Sequence, residues 1–96
     1  MDYNFAKKLI EGPDEPDDLV FLCLFHIKKD NWEKAHDIAQ DLDTHFGNWL
    51  HGLLHHIEGD TWNAGYWYRS IGLKYNVNSV QQECNKILEQ YLKEAM

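Results

Sequence analysis

The chain reads as an all-α protein: about six helices in stacked antiparallel hairpins, forming one domain over residues 1–96. Three observations predict this. Apolar residues recur at three- and four-residue intervals in segment after segment, the period of a helix face turned to a core. Asp, Asn, Thr or Ser stands just before most of these segments, and Gly just after several, as helix starts and stops require. No pair of alternating runs joined by a strand-type turn occurs.

Phe5, Ala6, Leu9 and Ile10 share one face of a short first helix, which Gly12-Pro13 ends. Pro13-Asp14-Glu15-Pro16-Asp17-Asp18 is an acidic connector. Pro16 suits the first turn of a second helix running to about Lys29, and Asp17 and Asp18 favour its positive end. Leu19, Val20, Phe21, Leu22, Leu24, Phe25 and Ile27 cover every side of it, so it should be buried on several faces. A short buried strand is the alternative for Val20 to Ile27, and the lack of a second strand candidate decides for helix.

Asp30-Asn31 offers a cap for the third helix, where Trp32, Ala35, Ile38, Ala39 and Leu42 oppose Glu33, Lys34, Asp37 and Asp41. Residues Asp43 to Gly47 read as a turn. The fourth helix covers roughly Asn48 to Glu58, with Trp49, Leu50, Leu53, Leu54 and Ile57 as its stripe. Gly59 stops it, and Asp60 or Thr61 caps a fifth helix from Trp62 to Ile71. A loop over 74–78 follows. Ser79 and Gln82 fit a capping box for the last helix, Ser79 to Glu94, whose stripe is Val80, Cys84, Ile87, Leu88, Tyr91 and Ala95.

Composition narrows the partners. Nine Lys and Arg against sixteen Asp and Glu give a net charge of −7. Phosphate binding needs a concentrated positive patch, so nucleic acid and anionic membranes are not expected partners. Cys23 and Cys84 lie inside apolar segments with no CxxC spacing, which suits two buried reduced thiols. The start, Met1-Asp2-Tyr3-Asn4-Phe5, lacks the basic, apolar pattern of a signal peptide, and the longest apolar run is seven residues, Leu19 to Phe25. A soluble cytoplasmic protein is the expectation.

A shift of 29 residues aligns Cys23 with Gly52, His26 with His55, Asp30 with Gly59 and Ala35 with Ala64. Each unit is a helix, a tight turn and a second helix. The stretches Lys29 to Ala35 and Glu58 to Ala64 resemble the turn and second-helix start of tetratricopeptide repeats, whose usual period is 34. That resemblance covers residues 19 to 71, and several of the repeat's characteristic positions are missing. Trp32-Glu33-Lys34-Ala35-His36, followed by the string from His51 to Tyr68, resembles a family of small uncharacterised bacterial proteins. Their pattern is W-x-x-A-H, then H-x-x-x-H-x-x-E-G-D-x-x-N-A-x-Y-W-Y. The likeness implies a bacterial cytoplasmic protein and names no activity.

The candidate chemistry sits in this string. At 100° per residue, His51, His55 and Glu58 fall within about 60° of one another, opposite the apolar stripe of the fourth helix. Two His at i and i+4 can share a divalent ion, completed by a carboxylate or by His36. The same set could serve acid–base chemistry. The pattern is not H-E-x-x-H, because Gly52 replaces the glutamate that would activate water. A packing role, with ring nitrogens bonded to Glu58, to Tyr hydroxyls or to a nearby turn, is the plainer alternative. His26, His45 and His56 read as scattered.

On the fifth helix Trp62 and Tyr66 share one side, while Ala64, Trp67, Tyr68 and Ile71 share another. One side faces the core. The other is expected to be covered by the first and last helices, or else to form an aromatic groove. No nucleophile elbow, phosphate-binding glycine loop or paired catalytic carboxylate occurs, so no catalytic residue and no cofactor is expected.

Three functions follow. The first is a non-enzymatic interaction module for a protein or peptide, as monomer or homodimer. The second is a small-ligand or divalent-metal protein using His36, His51, His55 and Glu58, with Tyr66 or Tyr68 beside them. The third is a weak hydrolase on the same cluster.

Overall fold

The computed structural model describes residues 1–94. Six helices occur in the order expected: α1 (Tyr3–Glu11), α2 (Leu19–Lys28), α3 (Trp32–Asp41), α4 (His45–Ile57), α5 (Thr61–Ser70) and α6 (Val80–Glu94). No strand occurs among the described residues. Ala95, placed on the last stripe from sequence, lies outside them.

Helix α4 is the hub. It packs against α2, α3, α5 and α6, and it is buried on nearly all sides. Leu50, Leu53 and Leu54 of α4, Cys23 and Leu24 of α2, Tyr68 of α5 and Ile87 of α6 form the driest part of the core. Burial pushes the Cys23 thiol up to about 12 and the Cys84 thiol up to about 11, so both free cysteines stay protonated and unreactive.

The tight turns follow one pattern. After α2, Asp30 takes a φ of 58°, its N–H donates to Ile27 O, and Asn31 N–H donates to His26 O at 2.8 Å. After α4, Gly59 takes a φ of 87°, its N–H donates to His56 O, and Asp60 N–H donates to His55 O at 2.9 Å. Both are Schellman turns, in which a left-handed residue satisfies the last helical carbonyls. The residues paired by the 29-residue shift thus occupy matching backbone positions.

The paired small residues also sit at close approaches. Cys23 Sγ donates to Ala35 O at 3.4 Å, tying α2 to α3. A Cβ on Gly52 would lie 2.8 Å from Tyr68 Cδ1 and 3.1 Å from Trp67 Cβ, so glycine is what lets α5 lie on α4.

Several boundaries differ from expectation. Helix α2 starts at Leu19, not Pro16, because Asp18 caps it by accepting from the Val20 and Phe21 N–H groups. Asn31 occupies the cap position of α3 but its side chain makes no capping bond. Residues 45–47, read as turn, are the first turn of α4. Thr44 Oγ1 accepts from Gly47 N–H at 3.0 Å, and Gly47 presses against the Leu42 carbonyl so closely that a Cβ there would sit 1.8 Å from it. The Ser79 cap of α6 is as expected, with its hydroxyl accepting from Gln82 N–H.

A buried carboxylate fastens α6. Glu83 Oε2 accepts from Trp49 Nε1 at 3.0 Å and from the Tyr68 hydroxyl at 2.7 Å. Tyr91 of α6 donates its hydroxyl to Asp18 at the start of α2.

Candidate metal centre: a histidine cluster between two indoles

Two i, i+4 pairs on neighbouring helices build the site. Trp32 and His36 lie on successive turns of α3, and His51 and His55 on successive turns of α4. The Trp32 indole N–H donates to Leu54 O at 2.7 Å, which fixes α3 against α4 and sets His36 opposite the other two rings. The ring centroids are 4.8 Å apart for His36 and His51, 5.6 Å for His36 and His55, and 4.9 Å for His51 and His55.

Indoles wall the cluster on two sides. Trp32 stacks on His36 at 4.7 Å, and Trp67 of α5 stacks on His51 at 4.1 Å. His51 is therefore 8% exposed, although the helical wheel turns it away from the apolar stripe. His36 and His55 are half-buried and form the rim. Of the two α4 imidazoles singled out from sequence, Trp67 covers one face of His51, while His55 stays half-buried.

Each ring can offer one nitrogen such that the three donors lie within 4.8 Å of one another. Around a tetrahedral ion with Zn–N of about 2.0–2.1 Å, the donors stand roughly 3.4 Å apart, so each ring needs to move inward by about 1 Å or less.

Hydrogen bonding prepares one ligand and leaves two unclaimed. His55 Nδ1 lies 2.6 Å from Glu58 Oε1. A carboxylate holding Nδ1–H presents Nε2 with its lone pair free, the arrangement found behind many metal-bound histidines. Among the described residues, neither the His36 nor the His51 ring has a hydrogen-bond partner, so their nitrogens are uncommitted. Burial, with smaller contributions from His36 and His55, holds the His51 imidazole down at about 4, so it is neutral near pH 7. Neutral imidazole is the ligating form.

Acidic groups border the rim. His55, Glu58 and Asp60 also bring one donor each within 4.8 Å of one another. Asp60 is occupied as the α5 cap, accepting from Asn63 N–H at 3.2 Å. The Asn63 bonds hold its carboxyl below the usual range, so it adds a negative charge beside His55.

The structure brings together His36, His51, His55 and Glu58 of the residues singled out from sequence. It separates the two tyrosines. Tyr68 is 1% exposed and bonded to Glu83 in the core, while Tyr66 is 50% exposed on the outer face of α5. Trp62, 73% exposed, stacks on Tyr66 at 6.3 Å. The expected covering of that face by α1 and α6 does not occur, since α5 packs chiefly on α4. Trp32 and Trp67 as walls, and Asp60 as a rim charge, were not in the sequence-based set. Trp32 stands four residues before His36, a spacing that could have flagged it, whereas Trp67 is placed by the Gly52 approach.

The remaining histidines lie elsewhere. His56 Nδ1 meets the Tyr75 hydroxyl at 2.6 Å, and His45 packs edge-on against Phe46 and Trp49. His26 is buried, its Nδ1 has no partner among the described residues, and its Nε2 is 3.7 Å from Glu15.

Comparison with family models, curated proteins and solved structures finds no match to this chain. Among the described residues, no helix is long and apolar enough to cross a membrane.

Proposed function

We propose that this protein binds one divalent first-row transition metal, zinc or a close neighbour, through His36, His51 and His55. The observation that carries this reading is the convergence of three imidazoles, two of them without any hydrogen-bond partner among the described residues, inside 4.8 Å. Among the described residues the buried side-chain nitrogen without a partner is His26 Nδ1, not a member of this cluster, so solvent reaches the His36 and His51 nitrogens and what favours a ligand is that three rings converge. Imidazole donors suit zinc, copper, nickel and cobalt rather than magnesium or calcium. The Glu58 carboxylate behind His55, the rim charge of Asp60 and the net charge of −7 all favour a cation.

The likeness to small bacterial proteins noted in the sequence runs through the same residues. His36, His51, His55, Glu58 and Asp60 fall at the polar positions of that pattern.

The test is metal content. Untagged protein exposed to excess zinc and dialysed should retain about one ion per chain. His51→Ala and His36→Ala should retain almost none, while His45→Ala should match the parent. Retention far below one ion, or retention indifferent to His51, overturns the assignment.

A second reading, an interaction module, is favoured by the uncovered pair Trp62 and Tyr66, because monomers seldom leave stacked aromatics bare without a use. Light scattering of the parent and Trp62→Ala distinguishes a self-associating chain from a monomer.

A further inference from the structure

The donor count at the cluster has a chemical consequence. Among the described residues, no fourth His, Cys, Asp or Glu joins His36, His51 and His55 within the same 4.8 Å. The nearest carboxylates are engaged: Glu58 holds His55 Nδ1 at 2.6 Å, and Asp60 holds the start of α5. The two side walls are indoles, which supply no ligand atom. His36 and His55 are half-buried, and the unpartnered nitrogens of His36 and His51 are not among the buried ones, so solvent reaches the cluster.

Closed four-ligand sites are structural, and three-ligand sites keep a position for water. Resting on the three-imidazole assignment above, we infer that the bound ion keeps one exchangeable coordination position, filled by water or hydroxide, and that the zinc form cleaves activated carboxylic esters. Zinc lowers the pKa of such a water to about 7.

The reaction balances with water alone. The bound water gives one proton to buffer. The resulting hydroxide oxygen forms a bond to the ester carbonyl carbon. The acyl carbon–aryloxide bond breaks, and the aryloxide leaves with the electron pair. The carboxylic acid so formed gives its remaining proton to the aryloxide or to buffer, and the carboxylate is displaced by a second water. Glu58 acts as a positioning residue, holding His55 with Nε2 on the ion.

The test uses the full chain loaded with cobalt(II), then with zinc. Azide should change the visible cobalt bands, saturating at about one azide per ion. The zinc form should hydrolyse p-nitrophenyl acetate about tenfold faster than the metal-free protein, with a rate rising through about pH 7. His51→Ala should not exceed the metal-free rate. Stoichiometric cobalt whose bands ignore azide and pH, with no zinc-dependent rate, overturns the open position and leaves the metal assignment intact. Azide binding without ester cleavage overturns the hydrolytic half. Failure to retain cobalt at all overturns the metal assignment, and the inference falls with it.

Discussion

At the scale of single residues, His51 carries the most. Burial, and to a lesser degree His36 and His55, oppose a positive charge, so the folded chain resists protonating it until about pH 4, whereas an unfolded chain takes the proton near 6.5. Above pH 6.5 both states are neutral there and the metal-free fold has its full stability. As pH falls through 6.5 the unfolded state gains a proton the folded state lacks, and stability declines until about pH 4. The full shift corresponds to roughly 3 kcal/mol, lowered by solvent screening at the half-exposed rim. Urea midpoints of metal-free parent and His51→Ala, followed from pH 7 to pH 4, should therefore converge, and a constant gap contradicts the account. Gly52 is the second decisive residue. Gly52→Ala forces a Cβ to within 2.8 Å of the Tyr68 ring, and the α4–α5 pair must part. A cost of about 1–3 kcal/mol is expected, read as a thermal midpoint lower by roughly 5–15 °C. His51 could be found in the sequence by its i, i+4 partner His55. Its burial could not, because nothing local to α4 says that Trp67 lies across it.

At the scale of elements, the molecule is two helix–turn–helix units with a helix before and a helix after. The units were legible where punctuation was local: Asp60 and Ser79 stand out as caps in the sequence, and each caps with its own side chain. Errors arose where two local signals competed. Pro16 tolerates a first turn, but Asp18 reaches two N–H groups and takes the cap. Gly47 looked like a turn residue, but its missing side chain serves a close approach to Leu42 inside α4. The fate of α5 was not legible, because each of its two faces carries two large aromatic residues and only the tertiary packing chooses between them. Turn chemistry gives a prediction at this scale. Gly59 has a φ of 87° and open space around its α-carbon, so Gly59→Ala meets no clash and pays only for the left-handed backbone. A destabilisation of about 1 kcal/mol is expected, visible as a shifted urea midpoint with unchanged slope. No loss at all contradicts the Schellman turn.

At the scale of the whole molecule, the cluster lies where the first unit meets the second. His36 belongs to α3, His51 and His55 to α4, and the closing indole Trp67 to α5. An ion held by all three imidazoles staples the units together. A chain of 96 residues has little stability to spare, so such a staple registers globally. Zinc at about 100 times its dissociation constant adds roughly 2.7 kcal/mol, which raises the thermal midpoint by about 10 °C or more. His51→Ala should show no rise with zinc, and an equal rise in both proteins contradicts the staple. The most direct measurement is X-ray absorption at the zinc edge of the loaded protein. The account predicts three imidazole nitrogens at about 2.0 Å with one oxygen completing four-coordination. A shell of six oxygens without the outer scattering of imidazole rings would show the ion sitting elsewhere.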